Sequence, residues 1–229
     1  MTYNDSWKKF IATSKHFDKM QRFVDNEKDI CPEKDKVFRF MSCDLDNAKC
    51  IILGMDPYPS TYKEENQVLP VATGRSFEVA NVKLFIDRYK QTSLANIFKA
   101  LNYYKYDKVY TMDELRKMYM DTDDELIDTH RWFDRMEEQG VIFLNATLTT
   151  KVGKSGAHIN LWKDFMDEVI SYMAQRKLKW LIWGDSALIR VENIVDKNDI
   201  IYSCHPASRV NNNFITDCCF KKVKNIKWF

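Results

Sequence analysis

Four short apolar runs, separated by helix-like stretches, constrain this chain more than any other feature. They span residues 48–54, 141–144, 178–183 and 199–203. Their apolar residues run on without a strict polar alternation, as in strands covered on both faces. Strands of this kind, alternating with helices, pack as a parallel sheet with helices on each side. The expected fold class is therefore α/β: a single domain over residues 1–229, with a central four-stranded, mainly parallel sheet flanked by helices. A hydrophobic content of 45% with 14% aromatic residues is enough for its core.

The intervening helices read as follows. Ser6 can cap a helix over 6–27 carrying Trp7, Phe10, Ile11 and Phe17 on one face. Pro32 suits the first turn of a short helix through Val37, Phe38 and Met41. Ser93 can cap a helix bearing Leu94, Ile97, Phe98 and Leu101. Residues 113–139 hold two charged helices with a solvated acidic run, and Gly140 ends them. An amphipathic helix over 161–175, one capped by Asp185 and a basic one over 214–224 complete the set. Residues 60–73 read as a polar loop, long for a compact domain, and 74–79 as a short extended piece.

Composition excludes some classes of function. With a net charge of +2 the chain has no uniform attraction for nucleic acid, although a local basic patch remains open to it. No apolar run approaches the roughly 20 residues of a membrane span, and the polar first ten residues lack a secretory signal's pattern. The six cysteines form no Cys-x-x-Cys pair, and no histidine sits at metal-ligand spacing. Reduced, mostly buried thiols in an intracellular protein are expected, and an iron–sulfur site, which normally needs tight cysteine spacing, is not.

Parallel strands place their carboxyl ends on one edge, where open α/β sheets bind ligands. The first run ends in Gly54-Met55-Asp56-Pro57-Tyr58-Pro59, which presents a carboxylate on a stiff turn beside an aromatic ring. The second ends at Asn145, the third at Gly184-Asp185, and the fourth runs into His205-Pro206. Each residue also has an ordinary use: Asp56 and Asn145 as turn residues, His205 as a loop residue, Phe77 as core. Together they match a nitrogen heterocycle attached to a sugar. An Asn amide offers coplanar donors and an acceptor to a base edge, and an aromatic ring stacks on its face. A histidine donates where negative charge develops, and a carboxylate orients water and stabilises an oxocarbenium-like sugar.

Six blocks in order along almost the whole chain resemble the family 1 uracil-DNA glycosylases. Gly54-Met55-Asp56-Pro57-Tyr58 resembles the water-activating loop usually written GQDPYH, and Gly74-Arg75-Ser76-Phe77-Glu78-Val79 the segment whose Phe stacks on uracil. Ser93-Leu94-Ala95-Asn96-Ile97 is similar to the end of the DNA-compressing loop, and Leu144-Asn145-Ala146-Thr147-Leu148-Thr149 to the uracil-reading strand end. Leu181-Ile182-Trp183-Gly184 resembles the strand before the backbone-pinching turn, and His205-Pro206-Ala207-Ser208 the minor-groove loop.

The resemblance implies a monomer that flips uracil from DNA and hydrolyses its N-glycosidic bond, leaving an abasic site, with no metal or cofactor. It implies catalytic roles for Asp56 (water and sugar cation) and His205 (the uracil oxygen that gains charge). It implies uracil contacts for Met55, Tyr58, Phe77 and Asn145, and DNA contacts for Ser93, Gly184, Ala207, Ser208 and Arg209. A DNA-mimicking protein inhibitor is a further implied partner, and membranes are not.

The chain departs from the family pattern at several positions. Met55 stands for the usual Gln, Pro59 for His, Gln91-Thr92 for common prolines, Asp185 for Ser and Arg209 for the Leu wedge. Pro59 and Arg209 resemble divergent poxvirus members that also serve DNA replication. The expected source is a bacterial, phage or mobile-element host, with the protein in the cytoplasm. Two other readings stay open: a replication accessory module that binds DNA on a glycosylase fold with weak catalysis, and a glycosylase for another base.

Overall fold

In the computed structural model the described residues are 2–120, 122, 127–209 and 213–229. The strands are β1 (Ile30–Cys31), β2 (Cys50–Gly54), β3 (Thr61–Glu64), β4 (Gln67–Pro70), β5 (Val141–Asn145), β6 (Thr150–Lys151), β7 (Lys179–Trp183) and β8 (Ile200–Ser203). The α-helices are α1 (Lys8–Thr13), α2 (Phe17–Asn26), α3 (Thr92–Tyr106), α4 (Met112–Tyr119), α5 (Thr129–Glu138), α6 (Ile159–Ala174), α7 (Asp185–Val191) and α8 (Phe214–Asp217).

The four expected strands form one parallel sheet in the order β5-β2-β7-β8. β2 and β5 are buried along their whole length, which is why their sequences read as unbroken apolar runs. Alternate residues feed two cores. Ile51, Leu53, Ile142, Leu144, Trp180 and Ile182 pack against the N-terminal helices and α6. Cys50, Ile52, Val141, Phe143, Leu181 and Trp183 pack against α3, α5 and the C-terminal segment. In register, Gly54 lies opposite Asn145, so the two strands finish level and hand their loops to the same edge.

Several local expectations are corrected. The helix expected over 6–27 is two, because Ser14 turns extended and its Oγ accepts from the amides of His16 and Phe17. The first turn is capped by Asn4, whose Oδ1 accepts from the Ser6 amide at 3.0 Å, while Ser6 Oγ accepts from Leu45. The segment after Pro32 forms two 3-10 turns, Lys34–Lys36 and Arg39–Ser42.

Residues 60–73 are not a plain loop: β3 and β4 form an antiparallel hairpin in which Glu64 pairs with Gln67. Its two-residue turn puts Glu65 at φ 50°, a conformation usually given to glycine, so no glycine marks it in the sequence. The 74–79 segment is bent and joins no strand; Phe77 in it has φ 66°. Ser93 lies inside the first turn of α3, behind Gln91 at the cap position. Asp185 is the first residue of α7, behind Gly184. The C-terminal helix breaks at Cys218, φ 41°, into α8 and a 3-10 turn. The 113–139 region holds α4 and α5 as expected, and Gly140, φ 93°, ends α5. The core of its acidic run, residues 121 and 123–126, lies outside the described residues.

All six cysteines are free, and Cys31, Cys50, Cys218 and Cys219 are buried. Among the described residues no helix is long and apolar enough to cross a membrane.

Candidate active site

The turn after β2 is held by the strand beside it. Ala146 N donates to the Gly54 carbonyl and Thr147 N to the Met55 carbonyl, each at 2.9 Å, so the β2–β5 pairing continues past the strand ends. Gly54 is required there for space. A Cβ on it would lie 2.6 Å from Asn145 Oδ1, 3.0 Å from Ser76 Cβ and 3.4 Å from Phe77 Cε2. The glycine thus lets the amide and the ring close over the strand end.

Asp56 is half-buried and anchored through one oxygen. Its Oδ2 accepts from Ser155 Oγ at 2.8 Å and from the Gly156 amide at 2.6 Å. Gly153 N donates to the Pro59 carbonyl at 2.8 Å, so the 153–156 turn straps the whole Asp56 loop. Oδ1 makes no hydrogen bond among the described residues, which leaves it to hold a water. Ser155 and Gly156 escaped the sequence reading. Their signal is a serine between Gly153 and Gly156, both at positive φ, about 100 residues from their partner in sequence.

The groups that face Asp56 across the cavity come from three other segments. The Asn145 side chain is buried at the end of β5, and its carboxamide makes no hydrogen bond to the protein among the described residues. A buried amide left this way is available to a ligand. The Phe77 ring lies 4.8 Å from Trp183 and 6.2 Å from His205, centroid to centroid. Tyr58 and Ser93 both line the cavity, and burial pushes the Tyr58 phenol up to about 12, so the hydroxyl stays protonated.

His205 follows β8 at the rim. Its Nδ1 accepts from the Ala207 amide at 3.1 Å, so in the neutral ring the proton sits on Nε2. Burial of the ring lowers its pKa below the usual imidazole range, which favours this neutral donor. Gly184, φ 101°, passes beneath it: a Cβ there would meet His205 Cβ at 3.0 Å.

Asp56, Met55, Tyr58, Phe77, Ser93, Asn145 and His205 line one cavity of about 190 Å³, with Gly54 and Ser155. That is smaller than the ~300–1,000 Å³ typical of drug-sized ligand sites and suits a single heterocycle. A larger cavity of about 530 Å³ lies at the opposite ends of the strands, by Lys49 and Gly140, and contains none of these groups.

The remaining expected residues lie outside the cavity. Gly184 is beneath His205. Ala207 and Ser208 form the turn after His205, in which Ser208 N donates to the His205 carbonyl at 2.8 Å, and Arg209 is exposed beyond it. Asn96 of α3 braces this turn by donating to the Pro206 carbonyl at 2.7 Å. The Asp185 carboxylate accepts from the Tyr202 hydroxyl at 2.7 Å. Among the described residues no group of three or more His, Cys, Asp or Glu side chains is arranged to hold a metal ion.

No family model matches the chain. Curated proteins do. It is 31% identical over 214 residues to the uracil-DNA glycosylase of Amoebophilus asiaticus, covering 88% of this chain and 83% of that protein. It is 30% identical over 233 residues to the uracil-DNA glycosylase of Azobacteroides pseudotrichonymphae, covering 96% and 91%.

Solved structures share the fold. The uracil-DNA glycosylase of Nitratifractor salsuginis aligns with a TM-score of 0.74 at 17% identity, over 97% of this chain and 91% of that one. The mimivirus Y322L enzyme in complex with UGI aligns at 0.66 and 24% identity, over 90% and 70%.

Proposed function

Because the chain belongs to the uracil-DNA glycosylase family, we propose that its 190 Å³ cavity is the uracil site and that Asp56, Asn145, Phe77 and His205 carry the reaction. The protein is a uracil-DNA glycosylase, a glycoside hydrolase of base excision repair. The observation that supports the residue roles is their convergence. A carboxylate with one oxygen free, an unpaired amide and a neutral imidazole donor, each following a different strand, meet a ring from the 74–79 segment in one cavity.

In this reading uracil leaves the duplex and stacks on Phe77, while the Asn145 amide pairs with its edge. Tyr58, packed against the core, walls the position where thymine carries its methyl group. As the C1′–N1 bond breaks, its electron pair goes to the base and positive charge gathers on the sugar. His205 Nε2–H donates to the uracil oxygen that gains charge, and the Asp56 carboxylate faces the sugar cation. A water held by Asp56 adds to C1′ and its proton passes to the carboxylate.

Ser93, Gly184, Ala207, Ser208 and Arg209 line the DNA path, with the planar Arg209 guanidinium in the place of a wedge. The same face would take a DNA-mimicking inhibitor. We assign the chain to family 1, as one domain acting as a monomer inside the cell, with poxvirus-like traits at Pro59 and Arg209.

The test is a uracil-containing oligonucleotide treated with alkali to cut abasic sites. Wild-type protein should cleave it and Asp56→Asn should lose at least about a hundredfold in rate, the scale of removing one preorganised electrostatic group. Cleavage no greater than that of the Asp56→Asn control overturns the assignment.

A further inference from the structure

An ionic cluster with two buried members, Arg75 and Glu78, flanks Phe77 in the chain. The Arg75 side chain is 3% exposed and that of Glu78 2%. Arg75 Nη1 donates to Glu78 Oε1 at 3.1 Å, closing a bridge across Ser76 and Phe77. Arg75 Nη2 donates to Asp134 Oδ1 at 2.6 Å and also to Glu137, both on α5. Glu78 Oε1 is 3.0 Å from His130 Nδ1, at the start of the same helix. Arg39 adds a second guanidinium 3.9 Å from Asp134. Three carboxylates thus contact two guanidiniums, with the His130 imidazole at the rim.

Its buried pair is expensive to desolvate, and part of it is left unsatisfied: among the described residues Arg75 Nε and Glu78 Oε2 have no hydrogen-bond partner. Hydrophobic residues of similar size would cover the same space without that penalty. What the cluster supplies is a fixed backbone. Phe77 has φ 66°, a left-handed conformation that a bulky residue holds only when its surroundings over-determine it. Its neighbours do so. Arg75 N donates to Thr73 Oγ1, Ser76 Oγ donates to the Ile52 carbonyl at 3.0 Å, and Arg75 and Glu78 are both tied to α5.

We propose that Arg75 and Glu78 are positioning residues: their shared bridge to α5 locks the left-handed turn at Phe77 and so aims its ring at the uracil cavity. The inference rests on the reading of Phe77 as the base platform. It assigns Arg75 a role in uracil affinity without contact to uracil. Lysine is not equivalent there, because a point charge cannot span Glu78, Asp134 and Glu137 as the planar guanidinium does.

The experiment measures inhibition by free uracil in Phe77→Ala, Arg75→Lys and the double variant, with melting temperature alongside. Base–aromatic stacking predicts about a tenfold weaker inhibition for Phe77→Ala and about fivefold for Arg75→Lys. In the double variant the Arg75→Lys effect on inhibition should vanish while its effect on melting persists, which a purely structural role would not produce. Should Arg75→Lys fail to fold, His130→Gln at the exposed rim carries the same comparison with a smaller effect.

Unchanged inhibition in Arg75→Lys, or an equal effect with and without Phe77, overturns the positioning role and leaves the platform assignment standing. Unchanged inhibition in Phe77→Ala overturns the platform, and the inference with it.

Discussion

Replacing Gly54 by alanine adds one methyl group at the point where the site is tightest. The new Cβ would lie 2.6 Å from Asn145 Oδ1, so the amide must retreat by about 0.4–0.8 Å to reach a tolerable contact of 3.0–3.4 Å. Phe77, at 3.4 Å, need hardly move. Gly54 does not have positive φ, so the substitution tests space alone, without backbone strain.

Functional groups must sit within about 0.5 Å of their productive geometry, and a misplacement near 1 Å costs on the order of a hundredfold. We expect kcat/KM to fall by about 30- to 100-fold, equivalent to about 2–3 kcal/mol of transition-state stabilisation. Overpacking costs a further ~1–3 kcal/mol of stability, a melting shift of about 3–10 °C for a chain of this length. The assay is alkali cleavage of a uracil oligonucleotide at 25 °C, with circular dichroism to show that the variant is folded. Activity within threefold of wild type, with unchanged inhibition by free uracil, would refute the placement of Asn145 against the base.

Other expectations follow from the same geometry. Asn145→Asp alters the donor pattern at the base edge and should gain activity on cytosine in DNA; unchanged base choice counts against Asn145 as the reader. Ser155→Ala removes one of two hydrogen bonds to the Asp56 carboxylate and should cost about tenfold in rate, with little change in melting. For His205, burial lowers the folded-state pKa below the unfolded value of ~6.5. The rate should therefore hold as pH falls to about 6.5 and drop only below it, where folded stability falls too. A rate that already declines above pH 7 would contradict this.

His130 behaves oppositely. Its hydrogen bond to Glu78 raises its pKa, despite partial burial. Its stabilisation is fully present below about pH 6.5 and is lost as pH rises through the raised folded value. Wild type should thus out-melt His130→Gln at pH 5.5 by a margin that closes at alkaline pH.

The parts of this molecule legible in its sequence share a physical cause. The three inner strands, β5, β2 and β7, are covered on both faces, and Gly54, Asn145, Gly184 and His205 punctuate the strand ends, so pattern and chemistry coincide. What could not be read depends on contacts between distant segments or on unusual local geometry. The Ser155–Gly156 strap reaches Asp56 across about 100 residues. Arg75 and Glu78 look like a surface pair until α5 covers them. The hairpin was hidden because Glu65 occupies a glycine-type position, and the helix break because Ser14 caps against the chain's helical pattern.

That hairpin has one more consequence. Its base is clamped where Val71 N donates to the Ser60 carbonyl at 2.9 Å, and Ala72 bridges to Val79 just beyond. The chain therefore leaves the Asp56 loop and returns at nearly the same point, and the ribbon between is a side-branch with its own register. Length can change at its tip without transmitting strain to the loop, while Tyr62 near its base packs against the core. The same clamp makes the ribbon's tip the natural point at which to graft a dye or an affinity handle on this enzyme.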